Sequence, residues 1–157
     1  MSIDVRFVIS DDVPAIIALV SDTLAEFGLE FGKGAATDDE LRELPFSYQA
    51  HGGAFWVARA SGSAALLGTC GVFPVAAETY ELRKMYLRPA ARGLGLGSRL
   101  LGLADAWTRE VGGRTLVLDT IEAMQGAIKF YEANGFVRDD HQIRGARASR
   151  GYAKLLT

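Results

Sequence analysis

The stretch Arg92-Gly93-Leu94-Gly95-Leu96-Gly97-Ser98 decides the reading of this chain. Three glycines alternate between a segment that reads as a strand, ending at Leu87, and one that reads as a helix from Ser98 to Val111. A loop with so few β-carbons lets a ligand approach the backbone, and the following helix N-terminus offers unpaired N–H groups with partial positive charge. An anion, above all a pyrophosphate, is the ligand such a loop suits. Two well-known phosphate loops fit poorly. A Walker loop needs a lysine that is absent here. A dinucleotide fingerprint begun at Gly93 and Gly95 meets Ser98 where glycine or alanine belongs, and begun at Gly95 and Gly97 it meets Leu100. Asp119 stands about where a ribose-binding acid would, so a nucleotide site remains a competing reading.

Outward from the loop, periodicity orders the rest. Towards the N-terminus, Val5 to Ile9 reads as a strand, and Ser10-Asp11-Asp12 caps a helix in which Ile17, Val20, Leu24 and Phe27 recur until Gly28. Thr37-Asp38-Asp39-Glu40 is a capping-box pattern for a short helix that ends at Pro45. Phe55–Arg59, Leu66–Val75 and Thr79–Leu87 read as three strands of an antiparallel meander. Beyond the loop, Leu116–Leu118 reads as a strand, the segment marked by Met124, Ala127, Ile128 and Tyr131 as a helix capped by Asn134-Gly135, and Phe136–Arg138 and Tyr152–Leu156 as two last strands. A strand–helix–strand crossover implies a parallel pair inside a mixed sheet.

Composition sets the class. At 157 residues, 49% hydrophobic and 23% charged, the chain reads as one domain, residues 1–157, with its own core. Seventeen Lys and Arg against nineteen Asp and Glu give a net charge of −2, with no global field for nucleic acid or an anionic membrane. Cys70, the single cysteine, excludes an internal disulfide and a cysteine-rich zinc site, and its apolar strand suggests an inert thiol. Neither His51 nor His141 has triad or metal-ligand spacing, so no metal is expected. With no secretory signal or membrane-length apolar run, the expected location is the cytoplasm.

The pattern Arg92-x-x-Gly95-x-Gly97 resembles the Arg/Gln-x-x-Gly-x-Gly/Ala pyrophosphate signature of the GNAT superfamily of acyl-CoA-dependent N-acyltransferases. Glu81-Leu82-Arg83-Lys84-Met85-Tyr86-Leu87 looks like the central strand of that family, and Ala127-Ile128-Lys129-Phe130-Tyr131-Glu132-Ala133-Asn134-Gly135-Phe136 is similar to its second signature. The resemblance implies an α/β fold of α+β type, a strongly twisted mixed sheet of six or seven strands flanked by about four helices. It implies acetyl-CoA as co-substrate, lying between the strand that ends at Leu87 and the strand containing Leu116–Leu118. Met85, Tyr86 and Leu87 would pair with the pantetheine amides, with the Met85 N–H facing the thioester carbonyl. Arg92, Gly93, Leu94, Gly95, Leu96, Gly97 and Ser98 would hold the pyrophosphate. Glu81, expected on the same strand face as Met85, is the candidate general base, and Tyr131 the candidate general acid. Met124 stands where many relatives carry a cofactor-contacting asparagine, so that contact is not expected.

The expected activity is acetyl transfer to a primary amine, on a metabolite or a protein, directly in a ternary complex. A GNAT-fold acyl-CoA sensor without turnover is the alternative. The resemblance leaves room for a homodimer. Arg83, Lys84 and Arg88 read as solvated charges. Glu30 with Asp38-Asp39-Glu40 hints at a cationic acceptor, while Arg138, Arg144, Arg147 and Arg150 make residues 138–151 locally basic.

Overall fold

The computed structural model describes residues 2–157. Seven strands form one mixed sheet: β1 (Ile3–Phe7), β2 (Ala54–Ala60), β3 (Leu66–Ala76), β4 (Thr79–Leu87), β5 (Thr115–Thr120), β6 (Val137–Arg138) and β7 (Arg150–Leu155). Their spatial order is β1-β2-β3-β4-β5-β7-β6. β1 to β4 pair antiparallel in sequence, β4 and β5 are parallel, and β7 lies antiparallel between β5 and β6. The meander and the crossover expected from the sequence are both present. Four α-helices flank the sheet: α1 (Val13–Ala25), the short α2 (Phe46–Gln49), α3 (Leu96–Glu110) and α4 (Gln125–Ala133). No helix among the described residues is long and apolar enough to cross a membrane.

Both faces of the sheet are covered, and β2 shows how its sequence serves two cores. Ala54, Trp56 and Ala58 join Leu100, Ala104 and Leu118 in a core under α3, while Phe55 and Val57 join Ile16, Leu19 and Val20 in a second core under α1. The period-two alternation of a strand thus sends apolar side chains to both sides. In the second core Tyr48 meets the Phe55 and Phe73 rings edge-on, each at a centroid distance of 5.3 Å.

Several element boundaries differ from the sequence expectation, each for a local reason. β1 is Ile3–Phe7 rather than Val5–Ile9 because Asp12 takes the Ile9 N–H at 2.9 Å and the Arg6 guanidinium at 2.7 and 2.9 Å, bending the chain into α1. Residues Ala36–Glu43 form a 3-10 helix in place of a capped α-helix, and Asp38 is fully buried instead of capping. Pro45 precedes α2 immediately. α3 starts at Leu96, two residues early, since Leu96 is itself buried in the core under that helix.

Gly71 on β3 lets the aromatic cluster close on the sheet. A β-carbon there would stand 2.8 Å from both the Phe55 and Tyr48 rings. Overpacking a filled core costs typically 1–3 kcal/mol. Gly71→Ala is therefore expected to lower the free energy of unfolding by about 1–3 kcal/mol in urea titrations with an unchanged m-value.

Candidate functional site

The site begins where two strands part. β4 and β5 pair through Thr79↔Thr115, Tyr80↔Leu116 and Glu81↔Val117, and there the ladder stops although β4 runs on to Leu87 and β5 to Thr120. On its other side β4 carries one residue too many for β3. Thr69 faces Tyr86 and Gly71 faces Arg83, so Cys70 opposes both Lys84 and Met85. Lys84 absorbs the bulge at φ +52°, a conformation that costs a non-glycine residue of order 1–3 kcal/mol. The Thr69 hydroxyl donates to the Lys84 carbonyl at 2.7 Å and helps fix it.

The bulge corrects the expectation that Glu81 and Met85 share a face. Tyr80, Leu82, Met85 and Leu87 pack on the core under α3, whereas Tyr86 packs on the core under α1 and Arg83 lies over Phe73 in that same core. Alternation therefore changes phase at Lys84 and leaves Glu81 and Met85 on opposite faces. The opening, not a shared face, brings them together.

Two cavities flank the parted strands. The first, about 600 Å³, reaches from Met85, Tyr86 and Leu87 to Arg92, Gly93, Gly95, Gly97 and Ser98. The second, about 550 Å³, is walled by Glu81 to Tyr86, by residues 34–37 and by residues 144–148. They meet at Met85, Tyr86, Met124, Ala127 and Tyr131.

At the far end of the first cavity, Gly93 (φ +77°) and Gly95 (φ +81°) hold left-handed conformations and turn the chain into α3. The Arg99 N–H bonds to the Gly95 carbonyl, so the amides of the preceding residues lack helical acceptors, as at any helix start. Leu94 is exposed at the tip and Leu96 is buried. Arg92 donates from Nε to the Leu87 carbonyl at 3.1 Å and forks onto Glu26 at 2.8 Å twice. It braces the loop against α1 in this structure.

Glu81 is 4% exposed. One carboxylate oxygen accepts from Arg83 Nε at 2.6 Å, and Oε2 is buried with no hydrogen-bond donor, 3.5 Å from the Arg144 guanidinium. Burial pushes its pKa above the ordinary carboxylate value, with Arg83 opposing. Tyr131, 7% exposed, meets Phe130 and Phe136 edge-on at 5.8 and 5.6 Å. Burial pushes its phenol pKa up, so it stays protonated at neutral pH. The buried Cys70 thiol is likewise pushed up by burial, to about 12, which removes it as a thiolate nucleophile.

Of the three cations expected to be solvated, two are not. Arg83 lies 4.1 Å over the Phe73 ring between Glu81 and Glu40, the latter at 3.1 Å. Lys84 is 8% exposed and pairs with fully buried Asp38, which also takes both Arg147 terminal nitrogens at 3.1 and 3.2 Å and the Gly32 N–H at 2.7 Å. Arg88, partly exposed, reaches Asp22 at 2.5 Å. Asp119 does not wait for a ribose: its carboxylate accepts the N–H groups of Arg144 and Gly145 at 2.7 and 2.8 Å and anchors that loop. Met124 stands at the N-cap of α4 and lines both cavities. The ion pairs of Asp38 and the inward turn of Arg144 and Arg147 had no local sequence signal beyond the charges themselves. No group of three His, Cys, Asp or Glu side chains arranged to hold a metal ion occurs among the described residues.

The sequence profile of the acetyltransferase (GNAT) family matches residues 18–136. The chain belongs to this family. It is an acyltransferase, 35% identical over 136 residues to the uncharacterised N-acetyltransferase YjgM of Escherichia coli, across 84% of this chain and 80% of that protein. A GNAT-family acetyltransferase from Staphylococcus aureus superposes with a TM-score of 0.90 at 22% identity, covering 99% of this chain and all of the other. The paiA N-acetyltransferase of Thermoplasma acidophilum, solved with coenzyme A, superposes with a TM-score of 0.77 at 21% identity, covering 99% of each chain. Seven mixed strands and four α-helices are thus a GNAT fold.

Asp38 is the test of how the bulge is held. Lys84 and Arg147 outweigh the effect of burial on its carboxyl and hold its pKa below the ordinary 3.8. A folded-state pKa depressed in this way contributes stability above the unfolded value and loses it as pH falls through the folded one. Asp38→Asn leaves two cations facing each other and is expected to lower the unfolding free energy by about 3–5 kcal/mol at neutral pH. In urea titrations between pH 7 and pH 3, its loss relative to wild type should shrink towards acid.

Proposed function

We propose that residues 1–157 act as one acetyltransferase domain that moves an acetyl group from acetyl-CoA to a primary amine, directly, in a ternary complex. The observation that carries this reading is the meeting of the two cavities at Met85, Tyr86 and Tyr131, between strands whose ladder has been opened. The cavity ending at the glycine loop suits the cofactor. Amides of residues 93–98 and the α3 N-terminus would take its pyrophosphate, with Arg92 near the loop. The side of β4 that faces β5 has no ladder partner from Leu82 onward, so Met85, Tyr86 and Leu87 offer backbone groups to the pantetheine arm. Support also comes from the paiA relative, which was solved with coenzyme A.

The second cavity takes the acceptor. Glu81, held unusually basic for a carboxylate by burial, removes a proton from the ammonium or from an intervening water. The free amine attacks the thioester carbonyl, a C–N bond forms, and the Met85 N–H stabilises the oxyanion. The C–S bond then breaks, Tyr131 gives its proton to the leaving sulfur, and the amine's second proton departs through water to the Tyr131 phenolate, while Glu81 returns its proton to solvent. Products are the N-acetylated amine and CoA. The buried Cys70 offers no acyl-enzyme route.

The sensor alternative separates by experiment. Acetyl-CoA is expected to raise the melting temperature, and an amine panel is expected to release free thiol; stabilisation without acceptor-dependent release would establish the sensor. Within the transferase, Glu81→Gln should lower kcat by about 10²–10⁴-fold. Because the folded pKa of Glu81 is raised, the acid limb of kcat/KM should lie above its ordinary 4.5, with activity lost as pH falls through it. The limb should vanish in Glu81→Gln, and an unshifted limb would remove Glu81 from the role of base. Turnover unchanged in Tyr131→Phe would remove the tyrosine as the acid.

A further inference from the structure

The charges on the wall of the acceptor cavity define what kind of amine it takes, given the transferase reading above. Of the four arginines in the basic stretch, Arg138 pairs with Asp140 at 3.1 Å and Arg150 with Glu122 at 2.5 Å, both away from the opening. Arg144 and Arg147 line the cavity instead. They are held there by backbone bonds rather than by chance rotamers. Asp119 clamps the amides of Arg144 and Gly145, the Arg147 N–H reaches the Gly34 carbonyl at 3.2 Å, and the Arg147 guanidinium reaches the Lys33 carbonyl at 3.0 Å.

The ion pairs around this wall are unevenly shared. Asp38 serves Lys84 and Arg147 together. Arg83 serves Glu81 and Glu40. Arg144 has only neutral oxygens of Gln142 within hydrogen-bond distance, at 3.2 and 3.3 Å, and stands 3.5 Å from Glu81 Oε2. Asp39 and Asp119 also stand on the wall, but Asp119 spends its carboxylate on backbone N–H groups, so Arg144 has no hydrogen-bonded carboxylate, its contact with Glu81 Oε2 being 3.5 Å. Beside it lies the buried Glu81 oxygen that has no donor. A wall that sets a partly exposed guanidinium with no hydrogen-bonded carboxylate beside a buried, unsatisfied carboxylate oxygen is complementary to a ligand carrying both signs a few bonds apart.

Most of the acids that suggested a cationic acceptor are spent elsewhere, Asp38 and Glu40 on the pairs just described and Glu30 on surface Lys33, while Asp39 stays exposed on the cavity wall. A diamine or polyamine would bring its second ammonium against Arg144, Arg147 and Lys84. We propose that the acceptor is a small amine that also bears an anionic group, a carboxylate or a phosphate, as in a free amino acid or an aminoalkyl phosphate. Arg144 holds the anion, with Arg147 beside it, and the amine sits at Glu81 Oε2, which joins recognition to the base. Arginine suits the anion because its planar fork binds two oxygens at once.

The test measures thiol release at saturating acetyl-CoA with matched acceptors: free amino acids, their carboxamides, the corresponding decarboxylated amines, polyamines, and aminoalkyl phosphates. Anion-bearing acceptors are expected to exceed their amides and decarboxylated partners in kcat/KM by at least about ten-fold, as when a site's polar group loses its partner. Comparing the carboxylate and phosphate arms identifies which anion the site takes. Arg144→Gln should collapse the ratio between acid and amide, through KM, and Arg144→Lys should restore part of it; acetyl-CoA-induced thermal stabilisation reports that each variant is folded. Equal or better turnover of amides, polyamines or decarboxylated amines overturns the inference and leaves the transferase reading standing, as does an unchanged ratio in Arg144→Gln. If acetyl-CoA neither stabilises the protein nor reacts with any amine, the transferase reading itself fails. The acceptor class is then judged by thermal shift with amino acids and aminoalkyl phosphates, and no shift overturns it too.

Discussion

A parallel pair of strands at the centre of a sheet ordinarily closes its whole length, because every unpaired backbone group buried there costs free energy. β4 and β5 do not: their ladder lasts three residue pairs and then opens. The cause can be traced to the extra residue on β4. Inserting it bends the strand and increases local twist, which carries Met85, Tyr86 and Leu87 away from the line of β5 while their other side stays paired with β3. Both cavities, the change of phase along β4 and the separation of Glu81 from Met85 follow from that one residue.

What holds the bulge is unusual for a sheet interior, a buried ion pair. Lys84 sits at positive φ with its ammonium on Asp38, and Asp38 comes from the 3-10 segment that follows the loop at residues 28–35. Buried pairs of this kind contribute little net stability compared with apolar packing, but removing one partner is costly. Their effect here is positional. The same carboxylate takes Arg147 from the β6–β7 connection, so two segments far apart in sequence are fastened to β4 at one point. The loops that wall the second cavity are therefore positioned by the same contact that holds the bulge, which couples the shape of the cavity to the geometry of the bulge.

Much of this was legible in the sequence, and the boundary between the legible and the hidden is physical. The glycine loop, the meander, the crossover and the α4 segment are local patterns: glycines at positive φ, period-two alternation and helical spacing are properties of a few neighbouring residues. The bulge is different. Nothing in Arg83-Lys84-Met85 marks Lys84 as left-handed, since lysine has no preference for that conformation; it adopts it because Asp38, 46 residues earlier, compensates. For the same reason the run Thr37 to Glu40 reads as a capping box, although tertiary pairing claims its second residue. Alternation extrapolated across an unseen bulge then puts Glu81 and Met85 on one face, and the error is a single residue of register.

Charge, like register, is redistributed by tertiary pairing. Counting acids and bases over short windows makes residues 38–40 look acidic and residues 138–151 locally basic. In the folded chain Asp38 takes Arg147 across the cavity while Arg138 and Arg150 pair with Asp140 and Glu122, and what matters is the remainder after pairing. That remainder is exposed Asp39 and, side by side, the partly exposed Arg144 guanidinium and a buried Glu81 oxygen. A pair of opposite charges left 3.5 Å apart without a proper hydrogen bond is poised between closing on itself and opening around a ligand that satisfies both. Arg144, only partly buried and bonded to nothing stronger than Gln142, has the freedom to make that exchange, whereas Arg83, fixed between two carboxylates and an aromatic ring, does not. Arg144, the wall cation without a hydrogen-bonded carboxylate, thus gives an arrangement that suits a binding site better than a purely structural ion-pair network.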